Sequence, residues 1–223
     1  GVTGVQTCAL PISFVSNLFT NCAISRLDFS NETTSDPGKN LPVARYGLAA
    51  LSGGQSIYRG SKTYGYFVGG DTAVSIPTIV KLDFSNENIS IPPYQLPLRT
   101  NYLAATSNNF YGYFGGGTNP PSPFTINTIT RLDFSNETYI IPGKNLPFVS
   151  GGSPSGGRSS LAATANSNYG YFGGGNIPGP SSISTITRLD FSNETVSDPG
   201  KNLPTASSIL AATSSSSYGY FGG

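Results

Sequence analysis

One segment of about fifty residues is written four times along the chain, and whatever the chain folds into must be built from that unit. A block made of a basic residue followed by Leu-Asp-Phe-Ser-Asn-Glu occupies 26–32, 81–87, 131–137 and 188–194. Its phenylalanines, Phe29, Phe84, Phe134 and Phe191, are spaced by 55, 50 and 57 residues. A Tyr-Gly-Tyr-Phe block running into glycines recurs at 64–70, 111–117, 169–175 and 218–223. The third landmark is Leu48, Leu103, Leu161 and Leu210, each followed by Ala-Ala. Short runs of Val, Ile, Thr, Tyr and Phe between Gly, Pro, Asn and Ser clusters argue for strands. No stretch has an apolar pattern at helical spacing long enough for a helix.

Each unit supplies four candidate strands, which in the third copy are 159–164, 169–173, 184–191 and 195–197. In the third of these, Ile186 alternates with Thr185 and Thr187, the period of a half-buried strand. In the second, Tyr169 and Tyr171 share one face while Phe172 takes the other. The glycines that follow provide a tight exit with positive φ available. The loops after that strand, 71–76, 118–124 and 176–182, differ in length and content from copy to copy, as surface loops do.

Four short antiparallel strands with a double glycine closing the second resemble the kelch repeat of β-propellers. The residues that carry the resemblance are Tyr66, Phe67, Val68, Gly69 and Gly70 for the aromatic-aliphatic-Gly-Gly strand, and Leu82, Asp83 and Phe84 for the turn that follows the third strand. Arg45 and Arg158 stand before the first strand, where that family often has arginine. Two departures are the lack of any tryptophan and Ser207 in the fourth copy at the arginine position. The ordered set of motifs is also similar to kelch-like repeats in structural proteins of marine tailed phages and in environmental metagenome sequences. What the resemblance implies is an all-β, kelch-like β-propeller of four-stranded antiparallel blades. The copies begin with the third and fourth strands of one unit and stop after the first two of another. Two arrangements follow: about four blades with one split between the termini, or an arc of a larger propeller with possible self-assembly through blade edges.

Residues 2–12 look like the in-frame translation of a sequencing-adapter oligonucleotide, and they lack the basic n-region of a signal peptide. The expectation is therefore that 1–12 stand outside the fold and that 13–223 form the repeat domain. The lack of Met and the stop inside a glycine block lead to the further expectation of an incomplete reading frame. With Cys8 set aside, Cys22 stands alone, and one cysteine builds neither a disulfide framework nor a zinc site.

Eight of the 11 acidic residues belong to the repeated block: Asp28, Asp83, Asp133, Asp190, Glu32, Glu87, Glu137 and Glu194. Asp36 and Asp198 belong to a second repeated piece, which leaves Asp71 as the acidic residue outside the pattern. Catalysis needs unlike groups brought together once, whereas groups copied in every unit serve the unit. With no His as well, the chain is expected not to be an enzyme and to hold no cofactor or metal. The stretch 152–159 fits phosphate-loop spacing, with Arg158 for the lysine, but a strand rather than a helix is expected to follow it. The Asp-Phe-Ser-Asn-Glu block lacks the glycine and further oxygens of a calcium loop and is expected to be an Asx-type turn. The same turns carry possible glycosylation sequons at Asn31, Asn88, Asn136 and Asn193.

A net charge of +1 with 10% charged residues gives no basic stripe for nucleic acid. No apolar run approaches the length of about eighteen residues that a membrane helix needs. Abundant Ser, Thr, Asn, Gly and Tyr suit a surface that meets a glycan or a protein. The function expected is a structural and adhesive binding module of a virion appendage, such as a phage tail fibre, or of another extracellular assembly. An intracellular kelch-type interaction scaffold is the alternative. The expected binding residues lie on the variable loops: Asp71, Thr72, Asn119, Phe124, Asn176 and Ile177.

Overall fold

The computed structural model describes residues 21–55, 62–72, 74–120, 125–148, 156–178 and 181–223. Those residues are all-β. The chain enters through β1 (Asn21–Ala23), β2 (Arg26–Asp28), β3 (Thr33–Ser35) and β4 (Asn40–Arg45), with β1 paired to β4 and β2 to β3. The first complete sheet follows in the order β5 (Ala49–Gln55), β6 (Lys62–Val68), β7 (Ile79–Asp83) and β8 (Ile89–Ser90). The second is β9 (Ala104–Ser107), β10 (Tyr111–Gly115), β11 (Ile129–Asp133) and β12 (Tyr139–Ile140). In the third, β13 (Ala162–Ala165) and β14 (Tyr169–Gly173) are followed by a small hairpin of β15 (Asn176–Ile177) and β16 (Ser181–Ser182), then by β17 (Ile186–Asp190) and β18 (Val196–Ser197). A last pair is formed by β19 (Ala211–Ser214) and β20 (Gly219–Gly222).

All pairings are antiparallel, and the three complete sheets share one register: Tyr64 faces Asp83, Tyr111 faces Asp133 and Tyr169 faces Asp190. The first strands β5, β9, β13 and β19 lie side by side in sequence order and line one shallow groove, so the sheets fan out from it in a propeller-like arrangement. The half-sheets β2–β3 and β19–β20 remain two separate two-stranded sheets.

In the third unit, the second strand occupies the expected residues, and the others are shorter than expected. The first strand starts at Ala162 rather than Ser159 because Ser160 has φ of 54°, outside the strand region. The third ends at Asp190 because Phe191 leaves the sheet to stack on Tyr113 of the sheet before it.

The half-buried alternation expected for Ile186 and its threonines is present in β17, with Thr187 and Leu189 on the buried face in place of Ile186. Thr187 is 1% exposed and Ile186 half-buried, while in the two earlier sheets both Ile79 and Val80, and both Ile129 and Thr130, are buried. Sheets pack on both faces of an interior sheet, so the first two residues of β7 and of β11 are both covered. Tyr113 and Phe114 point to opposite faces, and both are buried. Core clusters accordingly sit between sheets: one joins Tyr66 and Val68 to Phe114 and Leu132, and the next joins Tyr113 and Ile129 to Phe172 and Leu189. Burying each such side chain is worth about 1.5–3 kcal/mol.

Cys22 is buried and disulfide-bonded, which corrects the expectation that it stands alone. That expectation rested on discounting the segment that holds Cys8, and the bond's partner lies outside the described residues.

Arg45 and Arg158 turn out to be interior fasteners. Arg158, 1% exposed, donates to the carbonyls of Phe172 (3.2 Å), Gly174 (3.4 Å) and Thr185 (2.9 Å) and to the Thr187 hydroxyl (2.7 Å). Burial pushes its pKa down to about 10, which still leaves it charged at neutral pH. It ties the exit of β14 to the start of β17, sharing the Thr185 carbonyl with the Gly174 N–H. Arg45 does the same for Gly69 (3.1 Å) and Thr78 (3.3 Å). Replacing Arg158 by Met should destabilise the protein by about 3 kcal/mol or more in urea unfolding, because a buried cluster of charge-assisted hydrogen bonds is lost together. Arg26→Met, which removes an exposed ion pair to Glu87, should cost less than about 1 kcal/mol in the same experiment.

Candidate functional site

The residue just before each repeated leucine is Gly47, Tyr102, Ser160 or Ile209, and all four have left-handed backbone, with φ of 62°, 53°, 54° and 57°. That conformation costs about 1–3 kcal/mol for residues other than glycine and persists where the surroundings hold it. Here it turns the peptide groups towards the neighbouring sheets. The Tyr102 N–H donates to the Gly47 carbonyl (2.7 Å), Ser160 to Tyr102 (2.9 Å) and Ile209 to Ser160 (2.8 Å). A file of backbone hydrogen bonds thus runs from sheet to sheet along one end of the fan.

One residue earlier, each unit fastens its own variable loop. Tyr46 exchanges two backbone bonds with Asp71, Asn101 with Thr118, and Ser159 with Asn176, at 2.7–3.2 Å. The loops close on themselves just beyond, where Asp71 bridges Ser75, Thr118 bridges Thr125 and Asn176 pairs with Ser182. The last glycine before each loop, Gly70, Gly117 or Gly175, donates to the carbonyl of Thr100, Arg158 or Ser207 in the following unit at 2.9–3.0 Å. All three have φ of 103°, and a Cβ on Gly117 would stand 2.6 Å from the Asn101 carbonyl oxygen, so no other residue fits there. Loops of unequal length are thereby held on equivalent bases at the same end of the molecule.

The side chains gathered there form a polar and aromatic patch. Asn101 donates its amide to the Asp71 carboxylate (3.0 Å) and accepts from the Thr118 hydroxyl. The rings of Tyr46 and Tyr102 lie 6.0 Å apart at 56°, and Tyr102 is 38% exposed. Burial, then the nearby Asp71 carboxylate, raises the pKa of both phenols. In the third unit Ser182 donates to the Asn176 side chain (3.0 Å) and meets Ser208 at 3.2 Å. The half-buried Asp71 carboxylate and Thr118 hydroxyl, held by the buried Asn101 amide, stand beside ring faces and can hydrogen-bond and stack on a neutral polar ligand. Among the described residues no group of three or more His, Cys, Asp and Glu side chains could hold a metal ion.

Of the residues expected on sequence grounds, Asp71 and Asn176 sit at loop bases and Ile177 pairs with Ser181 in the small hairpin. The Thr72 hydroxyl donates within its own loop to the Val74 carbonyl (3.3 Å), and Asn119 is half-buried beyond Thr118. Phe124 lies outside the described residues. Tyr46, Asn101 and Tyr102 were missed. The signal was there: Gly47 aligns with Tyr102, Ser160 and Ile209, and a glycine that alternates with such unlike residues marks a backbone requirement rather than a side-chain one.

The repeated acidic turn is the Asx-type turn expected. Asp28, Asp83, Asp133 and Asp190 each accept from the backbone N–H (2.8 Å) and hydroxyl (2.6 Å) of the serine two residues on. Bonds from that serine hold the carboxyls of Asp28, Asp83 and Asp190 below the ordinary 3.8. Asn31, Asn88, Asn136 and Asn193 are exposed. In three of these sequons the asparagine oxygen already accepts from the threonine that completes the motif, at 2.6–3.0 Å. Within 152–159, Arg158 is spent on buried carbonyls and a hydroxyl, not on a loop that could cradle phosphate.

No protein-family model matches the chain. No curated protein matches it either.

Two titrations check this surface. By NMR, Tyr46 and Tyr102 should ionise above the ordinary phenol value of 10, and Asp71→Asn should bring both back towards it. Asp28, Asp83 and Asp190 should titrate below 3.8, so the turns' contribution to stability is present above that pH and is lost as pH falls through the lower folded values. A midpoint at or above 3.8 would show that the serine bonds do not form in solution.

Proposed function

We propose that this chain is a non-enzymatic structural and adhesive module built of kelch-like β-propeller blades, and that it binds a glycan through its loop-bearing end. The single observation that carries the reading is the gathering of Tyr46, Asp71, Asn101, Tyr102 and Thr118 on one end, where three loops of unequal length stand on equivalent bases. A ring face beside carboxylate and hydroxyl groups that the buried Asn101 holds in place is chemistry that meets a sugar's hydroxyls and its apolar C–H face together. Fixed bases with variable tips let specificity change without disturbing the sheets.

The acidic groups support the non-enzymatic part. The repeated aspartates are occupied by their own turns, and Glu87, Glu137 and Glu194 each pair with a basic residue of the preceding sheet. A repeated unit with small polar loops and few charges suits the surface of a virion appendage or another extracellular assembly, and exposed sequons suit the latter.

Immobilised-glycan binding tests the reading. A binder identified in such a screen should lose about tenfold or more in affinity with Tyr102→Ala or Asn101→Ala. Lys144→Ala, a change at an exposed lysine outside the patch, should leave affinity unchanged. If no glycan binds, or if binding ignores both patch substitutions, the proposed surface is wrong.

A further inference from the structure

The tip of the β9–β10 hairpin carries a phenylalanine whose ring has no part in fastening the sheet. In every complete sheet a backbone bond ties the tip to the turn after the third strand. The Phe84 N–H donates to the Thr63 carbonyl (3.1 Å), Phe134 to Phe110 (3.0 Å) and Phe191 to Asn168 (2.9 Å). An asparagine closes the tip itself. The Asn108 side-chain oxygen accepts from the N–H groups of Phe110 (2.8 Å) and Tyr111 (2.7 Å), and Asn166 does the same for Asn168 and Tyr169 at 2.9 Å. None of these bonds uses the Phe110 side chain, and Thr63 and Asn168 hold the same place in the neighbouring sheets. The Phe110 ring lies beside Tyr111 (6.4 Å, 54°) and is 63% exposed.

Phe110 lines a cavity of about 330 Å³ between the second and third sheets, within the range of about 300–1,000 Å³ of small-molecule sites. Its other walls include Asn168 and Tyr169 of the next tip and Asp190, Phe191 and Ser192 of the next turn. A second cavity, of about 380 Å³, lies one boundary earlier and is built from the same positions, with Tyr111, Asp133, Phe134 and Ser135 in its lining. Asn109 and Phe110 line both, so the two clefts meet at one hairpin tip. The tip and the variable loop lie at opposite ends of β10, which puts these clefts at the far end of the molecule from the loop-bearing patch.

The two clefts offer one chemistry. Each serine hydroxyl spends its proton on the aspartate beside it (2.6 Å), so towards a ligand its oxygen accepts. Asn109 and Asn168 are exposed, and their amides can donate. Among the described residues neither cavity is lined by lysine or arginine, and each holds a carboxylate, so an anionic ligand is repelled. An open ring with acceptors and amide donors around it suits an uncharged ligand that has an apolar C–H face rimmed by hydroxyls. The same chemistry set down twice, one sheet apart, suits a ligand that itself repeats.

We propose that the clefts flanking Phe110 form a second glycan-binding surface, separate from the loop-bearing patch, which takes residues of one neutral polysaccharide in both clefts with the Phe110 ring as stacking platform. Two shallow sites reinforce each other when a single ligand spans them.

The test follows backbone amide signals of the full chain by NMR during titration with neutral hexasaccharides of glucose, galactose, mannose and N-acetylglucosamine. At least one should shift Asn109, Phe110, Ser135 and Ser192, and the corresponding disaccharide should bind about tenfold more weakly or worse. Phe110→Thr, which matches the first sheet, should weaken binding about tenfold or more, whereas Phe110→Tyr should retain it. Circular dichroism of both variants reports folding independently of binding. Tyr102→Ala, in the loop-bearing patch, should leave the shifts around Phe110 unchanged. Shifts confined to Asn101, Tyr102 and Thr118 overturn this inference and leave the loop-end reading standing. Tip binding that survives Phe110→Thr overturns it too, as does a disaccharide as tight as its hexasaccharide, or a tip that no sugar shifts.

Discussion

The joint between neighbouring sheets is the interaction on which the rest depends. A four-stranded sheet of such short strands cannot bury two apolar faces by itself, and both faces of the interior sheets here are apolar. The aromatic stack of Phe134 on Tyr66, or Phe191 on Tyr113, excludes water from the boundary, and the glutamate beside it fixes the angle and register at which sheets meet. Because the phenylalanine and glutamate come from the same tight turn, the Asx bonds of Asp133 or Asp190 preorganise both for docking. Local turn chemistry and long-range packing are thus one device.

The inner end of the fan obeys a second constraint, that of the backbone. Left-handed residues before each leucine link sheet to sheet, and glycines with φ of 103° bring the loop bases against the next unit. Side chains at the left-handed positions before the leucines are free to vary because the bonds there are made by peptide groups. That freedom lets Tyr46, Asn101 and Tyr102 form a patch in one part of the molecule and serines replace them in another. Buried Arg45 and Arg158 secure the same region from within by donating to carbonyls at the glycine exits.

The joint and its turns account for seven of the 11 acidic side chains, the four repeated aspartates and Glu87, Glu137 and Glu194. Groups that could have served chemistry are committed to turns and boundaries, and the carboxylate that departs from the repeat, Asp71, sits in the polar patch bonded to Asn101. The molecule's variable chemistry is therefore concentrated at the loop-bearing end, and its invariant chemistry is at the joints.

By itself the sequence determined the unit, its strand order and its turns, since the repeat displays them four times and the Asp-to-Ser and Asn-to-Thr bonds act within three residues. It also marked the residues before the leucine, where Gly47 becomes Tyr102, Ser160 and Ile209. Only the tertiary structure decided what each residue faces. Thr187 looked outward by its polarity and is buried, because a neighbouring sheet covers that face and Arg158 bonds its hydroxyl. Phe84, Phe134 and Phe191 read alike in the sequence, yet Phe134 and Phe191 stack on a tyrosine while Phe84 remains largely exposed. Local bonds repeat wherever the motif does, whereas burial depends on which neighbour stands beside it, and at the ends of the fan that neighbour is only half a sheet.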